Sequence, residues 1–445
     1  MTWRGTWAAG TAYAINDGVS QGGSSYIATT ANTGSQPPSA NWNLIAQVGA
    51  QGPGGATGPA GPSAVSTNAG NLATLGSDSL ILVPQSSIWN LRLRSFNAVG
   101  NPTFEVDQRN VGNTLAAVAP GTMVQDRWQI NKAGTMVVSV GQQSVAAGIN
   151  LPGTSFAITR SFFRVTLTTQ EASLAAGDYL YIQQSLEGTR WREFQNDVHS
   201  LQVLVRSSVS GLMVGAALLD PTSAHSLTGL LTIPSANTWT LLPLPNLPVW
   251  PGAGTFVNTP GNLGYLLGIT LAAGSSYVSP ANGSWQNGNF VGAVGQSNFA
   301  AQANATFDVA FVQHEPGPVC STPNDCPFTQ NLDDCLRYYQ KSYDYKTAVG
   351  AVVNNGATGA NITSGSWPLY QVSFPKRMAK VPTLTGYSPH TGAANNVYDG
   401  TAAVDRVINL ASNLGESGFN GFQTATVYSG GTWTVSAHYT ADTGW

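Results

Sequence analysis

Between residues 66 and 328 the chain is a succession of short apolar runs broken by turn residues. Leu80-Ile81-Leu82-Val83, Met136-Val137-Val138-Ser139-Val140, Phe163-Arg164-Val165-Thr166-Leu167 and Leu201-Gln202-Val203-Leu204-Val205 are β-branched and alternate, or run apolar throughout. That is the pattern of strands buried on one or both faces. Many such strands set apart by turns predict a β-sandwich, here a jelly roll over 66–328. Helical spacing is clearest over Asn331 to Tyr343, where Leu332, Cys335, Leu336 and Tyr339 recur and Asp334 stands three positions after Asn331, as in a capping box. The reading is a linking helix over 329–343. Residues 344–445 return to strand-like alternation and predict a C-terminal β domain.

Residues 1–48 differ from the rest. Trp3, Trp7, Tyr13, Tyr26 and Trp42 are spaced by Gly, Ser, Thr and Asn, which predicts an aromatic-rich three-stranded mini-sheet. Sugar rings pack their C–H faces on aromatic planes, so Trp and Tyr exposed on a rigid sheet would make a carbohydrate platform. So small a unit also needs aromatics for its own core. Trp3, Tyr13 and Trp42 are the candidate carbohydrate-binding residues, and Trp7 and Tyr26 the candidate core. The order Trp7, Tyr13, Asp17-Gly18-Val19, Gly22-Gly23-Ser24-Ser25-Tyr26-Ile27-Ala28, Pro37-Pro38 and Trp42 resembles the small chitin-binding module of bacterial chitinases. Asn16-Asp17 stands where that module has Gly-Asp.

At 49–65 the pattern changes again. Gly49, Gly52, Gly55, Gly58 and Gly61 recur at a spacing of three, and Pro53, Pro59 and Pro62 follow glycines. Only glycine fits at the crowded axis of a collagen triple helix, so this period has meaning for three chains and predicts a homotrimer with a collagen-like stalk. A flexible Gly/Pro linker is the alternative.

Composition narrows the function classes. Only 9% of the 445 residues are charged, the net charge is -3, and Lys and Arg form no cluster, so the electrostatic footprint of a nucleic-acid binder is missing. No run approaches the apolar length of a membrane span, and the N-terminal residues do not read as a signal peptide, so a soluble product made in the cytoplasm is expected. Cys320, Cys326 and Cys335 are spaced wrongly for a zinc ribbon or finger, and no cofactor or metal is expected. A Cys320–Cys326 bridge stays open, and Cys335 reads as a buried thiol on the helix face. The histidines, among them His199, His225 and His390, have no nucleophile motif beside them, and the glycine-rich run is no phosphate loop. For a polysaccharide hydrolase the candidate carboxylates are Glu171, Glu187, Glu193, Asp197 and Glu315. None has a diagnostic neighbourhood; Glu187 and Glu315 read as buried structural carboxylates, and no enzyme is expected.

The chain also resembles fibre and structural proteins of tailed bacteriophages. The blocks that carry the resemblance run in order: Phe104, Gln108-Arg109, Asp126-Arg127-Trp128, Tyr181 to Gly188, Leu204 to Gly211, Asn237-Thr238-Trp239, Leu271 to Ser275, Trp285 to Phe290, Val312 to Gly317 and Cys335-Leu336-Arg337-Tyr338-Tyr339. His314-Glu315 replaces the usual Leu-Glu pair. Phe374-Pro375-Lys376-Arg377-Met378 with Pro382, and Val435 to Asp442, resemble the C-terminal β domain of such fibres. The resemblance implies a mostly-β virion protein, assembled in the host cytoplasm, whose partners are itself, other tail or capsid proteins and host surface polysaccharide. Loops 391–399 and 413–420, and the aromatics Trp367, Tyr370, Tyr387, Tyr398, Tyr428, Trp433, Tyr439 and Trp445, are further candidates for contact. Attachment to the capsid, with the aromatic module as anchor, and a tailspike depolymerase are the alternatives.

Overall fold

The structure, a computed structural model, describes residues 1–55, 74–75, 81–82, 97–252, 256–324, 326–363, 371–411, 413–424 and 431–445. It is mostly β and divides into two compact units, Met1–Leu82 and Val83–Trp445. Of the apolar run 80–83, only Ile81–Leu82 is described, paired with Thr74–Leu75.

In the first unit the mini-sheet has four strands, one more than expected, in the order Thr2–Thr6, Asp17–Gln21, Ser24–Ala28 and Trp42–Ala46. The extra strand is the first, which pairs in parallel with Asp17–Gln21. Gly22 and Gly23 link the middle two strands at φ of +56° and +80°, the pair of positive values that a two-residue hairpin turn matched to strand twist requires. Tyr13, Val19, Tyr26, Ala28 and Trp42 form the core, with Trp7 half-buried against it.

In the second unit two antiparallel sheets face each other as a jelly-roll sandwich. The larger runs Trp285–Asn287, His225–Ile233, Leu212–Leu219, Leu263–Ala273, Tyr179–Glu187, Trp128–Ala133, Thr122–Gln125. The smaller runs Val137–Asn150, Ala157–Thr169, Thr306–Pro316, His199–Ser207, Thr240–Leu247. The chain crosses repeatedly between them, so each strand's alternation serves one shared core. Phe163, Val165 and Leu167 are fully buried there with Leu201, Val203 and Val205, while the intervening Arg164 faces outward to pair with Asp308. This is the period-two logic of a strand buried on one face.

The helix is shorter and earlier than its spacing suggested, spanning Phe328–Leu336. Pro327 occupies the N-cap position, where its missing N–H costs nothing. Asn331 therefore lies inside the helix, buried, with its amide directed to Thr103 Oγ1 and the Cys326 carbonyl; it caps nothing. Tyr339–Lys341, expected to be helical, is a strand paired with residues Thr440 to Asp442. Cys335 is the buried helix-face thiol, 1% exposed.

The long strand Trp433–Asp442 organises the C-terminal region. Its last residues lie between Tyr339–Lys341 and Thr383–Tyr387, and its first half pairs with Thr358–Ile362 and Asn396–Asp399. Ala437, Tyr439 and Ala441 point into a small core with Phe374, Met378, Phe419 and Phe422.

Some of the blocks behind the phage-fibre resemblance, those holding Arg109, Arg127, Glu187 and Arg337 to Tyr339, meet where this region joins the sandwich. Glu187 accepts from Arg337 Nε and Nη2 (2.9 and 2.5 Å), Tyr338 Oη (2.8 Å) and Gly261 N (2.7 Å). The Arg127 guanidinium lies 3.6 Å from the Tyr338 ring centroid and that of Arg109 4.0 Å from Tyr339. Arg109 is also ion-paired with Asp442. These blocks thus carry residues that hold the unit together.

Candidate functional site

The three candidate carbohydrate residues part company in the structure. Tyr13 and Trp42 are 3% and 5% exposed and meet edge to face at 5.2 Å; they are core and offer no free ring face. Tyr13 Oη accepts from Ala8 N and Trp42 Nε1 donates to the Ser35 carbonyl, so even their polar ends are engaged within the module. Trp3 alone of the three is open, at 52%.

The local sequence explains how Trp3 is held. It sits opposite Gly18 in the parallel pair, and Gly18 stands opposite Ile27, which stands opposite Asn43. A Cβ on Gly18 would come within 3.0 Å of Trp3 Cε3 and 3.2 Å of Met1 Sδ. The indole therefore packs against bare backbone, and a side chain at 18 would push it outward by a few tenths of an ångström. The next row of the same face is hydroxylic: Ser20 lies opposite Ser25, and Ser20 Oγ donates to Thr6 Oγ1 at 3.4 Å. The opposite face carries Val19 and Tyr26 into the core. The arrangement is one solvent-facing indole on a sheet with serine and threonine beside it, apolar contact area next to hydrogen-bonding groups.

The stalk glycines divide likewise. Gly49, Gly52 and Gly55 are exposed, none has positive φ, and no atom lies within 4 Å of where a Cβ would stand. Nothing among the described residues demands glycine at those positions. Gly58 and Gly61 lie outside the described residues.

Each candidate carboxylate is engaged by a local donor. Glu171 accepts from the Thr135 and Met136 amides, and Glu315 from Ser321 N and Oγ. Asp197 accepts from Val198 N, and Glu193 pairs with Arg192 at the surface. Burial alone would raise the Glu187 carboxyl, but the hydrogen bonds of Arg337, Gly261 and Tyr338 outweigh it and hold it below the ordinary value. A general acid in glycoside hydrolysis needs the opposite shift.

The three cysteines are free thiols: Cys320 Sγ donates to the Leu201 carbonyl and Cys326 Sγ to Asn331. Among the described residues no three His, Cys, Asp or Glu side chains converge as metal ligands. Tyr439 is core, Tyr398 stacks on His390 at 4.6 Å, and Trp433 packs beside Ile362 and Val435. Trp445 lies beside Tyr338, with Lys380 Nζ over its ring at 4.6 Å. Trp367, Tyr370 and Tyr428 lie outside the described residues.

No family model matches the chain, and no curated protein does. Among solved structures it is similar to TmCBM61 in complex with β-1,4-galactotriose, at 10% identity over 50% of this chain and 99% of that one, with a TM-score of 0.25. The tailspike protein 4 enzymatically active domain of bacteriophage CBA120 is similar at 15% identity over 50% of this chain and 21% of that one, TM-score 0.26. The family 11 carbohydrate-binding module of Clostridium thermocellum, in complex with a mixed-linked tetrasaccharide, is similar at 12% identity over 46% of this chain and 96% of that one, TM-score 0.24. What this chain does is therefore read from its own residues.

Proposed function

We propose that the chain is a structural and adhesive fibre protein of a tailed-bacteriophage virion, working as a homotrimer that holds host-surface carbohydrate through its N-terminal module. The observation that carries the adhesive reading is Trp3, an indole packed on the backbone of Gly18 and 52% open to solvent. A fixed aromatic plane loses little entropy on binding and suits the C–H face of a sugar. Three copies per fibre multiply a weak single-site affinity.

The trimer reading is supported by the period of three itself, since a crowded axis between chains would account for glycine at every third residue. Leu44, Ile45 and Val48, 51%, 48% and 53% exposed just ahead of the repeat, are apolar surface that a three-chain junction would cover. Sedimentation equilibrium at micromolar concentration is expected to give three times the chain mass of 46.3 kDa; a stable monomer sinks this part of the reading.

Trp3→Ala in the full-length protein is expected to weaken binding to chitin beads and to host cells by about tenfold or more while leaving the melting profile unchanged. Trp42→Ala is expected instead to destabilise the first unit by about 3–5 kcal/mol, as for other buried aromatics truncated to alanine. Undiminished binding by a folded Trp3→Ala protein removes the carbohydrate role from this face.

A further inference from the structure

The Val83–Trp445 unit contains a cleft of about 530 Å³ that takes in no residue of the first unit. That volume is within the range of small-molecule sites, roughly 300–1,000 Å³. Its floor is one face of the C-terminal sheet. Thr440 and Asp442 alternate with the core-facing Tyr439 and Ala441 along the long strand. Thr385 lies opposite Thr440 and Thr383 opposite Asp442 on one neighbour, while Tyr339 lies opposite Asp442 on the other. Tyr387, Thr443, Arg109 and Met123 complete the lining used here.

The chemistry of this lining is specific. Asp442 is the acidic residue of the lining and is already committed: Arg109, its side chain 9% exposed, holds both carboxylate oxygens. Burial alone would raise the Asp442 carboxyl, but the hydrogen bonds and charge of Arg109 keep it below its ordinary value, so the pair stays internally neutral. A metal cation would compete with Arg109 for the carboxylate, and an anion with Asp442 for the guanidinium.

What remains for a ligand is neutral and polar. The Thr383, Thr385, Thr440 and Tyr387 hydroxyls have no hydrogen-bond partner among the described residues, although Thr440 is only 7% exposed. None of these hydroxyls is among the buried polar atoms left without a partner, so all four stay open to a ligand.

We infer that this cleft is a second saccharide site, separate from Trp3, for a neutral oligosaccharide. Sugar hydroxyls would exchange hydrogen bonds with the unpartnered threonine and tyrosine hydroxyls, while the Tyr387 ring and Met123 give apolar contact. The site stands whether or not Trp3 binds sugar, because no residue of the first unit takes part.

The test uses the full-length Trp3→Ala protein, so that any sugar signal from the first site is removed. Saturation-transfer NMR is run with neutral chito-, cello- and xylo-oligosaccharides and with charged oligogalacturonate as the contrast. The expected result is saturation of at least one neutral oligosaccharide and none of oligogalacturonate. Adding Thr385→Trp, which fills the cleft from a strand position that tolerates an aromatic, is expected to abolish the signal. Adding Tyr387→Phe, which keeps the ring and deletes one hydroxyl, is expected to weaken it roughly fivefold. Circular dichroism checks that both variants remain folded. No saturation of any neutral oligosaccharide at millimolar concentration, a signal unchanged by a folded Thr385→Trp protein, or preferred binding of oligogalacturonate each overturns the inference. Failure of the Trp3 reading shows separately, as chitin-bead binding by the Thr385→Trp protein that adding Trp3→Ala leaves unaltered.

Discussion

Replacing Glu187 by alanine is expected to destabilise the Val83–Trp445 unit by about 3 kcal/mol, the lower end of the cost of breaking a buried ion pair. Glu187 is 2% exposed, so deleting it strands the Tyr338 hydroxyl and the Gly261 amide without their acceptor. Arg337, with 29% of its side chain exposed, can recover some hydration, which places the figure at the low end. Glu187 joins residues 187 and 337, so its loss is felt by the sandwich and the C-terminal sheet together. Urea denaturation followed by tryptophan fluorescence should show a lower midpoint for Glu187→Ala and a smaller drop for Glu187→Gln. Glu193→Ala, which removes an exposed pair with Arg192, should stay within about 0.5 kcal/mol of the parent. Equal midpoints for Glu187→Ala and Glu193→Ala would show that the buried network contributes nothing measurable.

Acidification from pH 7.5 to 5.0 is expected to destabilise the same unit through its buried histidines, His199 and His314 with His438, which burial also lowers. Tyr265 Oη, His314 and His199 form a chain, with His314 Nδ1 2.7 Å from the tyrosine oxygen and Nε2 3.0 Å from His199 Nδ1. Phe194 stacks on His314 at 4.1 Å and shuts out water. His199 Nε2 completes no hydrogen bond of normal geometry; the nearby Pro248 backbone favours a proton there, but its carbonyl already accepts from Trp285 Nε1. Burial lowers both imidazoles, His199 to about 4 and His314 well below its usual 6.5.

The sign follows from linkage. In the unfolded chain both rings take protons as the pH falls through 6.5, while in the fold they resist, so stability present above pH 6.5 is lost toward pH 4. Each tenfold difference in proton affinity between the unfolded and folded chain is worth about 1.4 kcal/mol, so the loss by pH 5 is about 2 kcal/mol for His199 alone.

Asp126 works in the other direction. Burial, partly offset by Arg109 and Gln108, pushes its carboxyl up to about 6, so it gains a proton in the fold over the same window and returns about 1 kcal/mol. Glu187 and Asp442, both held below their ordinary values, lose their contribution only at more acidic pH. The urea midpoint should therefore fall between pH 7.5 and 5.0, fall further in Asp126→Asn, and fall less in His314→Gln. A profile that is flat over this window, or unchanged by His314→Gln, contradicts the assignment.

The alternation of Phe163, Val165 and Leu167, and of Leu201, Val203 and Val205, was enough to name a sandwich from sequence, because period two is a local property and one face of each strand must be buried. Glu187 and Glu315 were likewise legible as structural carboxylates, and Cys335 as a buried helix-face thiol. Other features depend on partners far away in the chain. Tyr339 recurs at helical spacing with Leu332 and Leu336, yet Tyr339–Lys341 is a strand because residues Thr440 to Asp442, about a hundred positions on, supply the hydrogen bonds. Local propensity gives way to such a pairing.

The same limit divided the aromatics. Trp3, Tyr13 and Trp42 are alike as letters, and only the parallel pairing that sets Trp3 on Gly18 leaves it open while the other two close the core. The cleft was not legible at all, since it draws on residues 109, 123, 339, 383–387 and 440–443, which no window along the chain brings together. The β character, the glycine period and the faces of the strands are written into the residues alone, because near neighbours set all three. Which side chains are left facing solvent, and which unpartnered hydroxyls share a cavity, was decided only by tertiary contact, because exposure and proximity are properties of the packed chain.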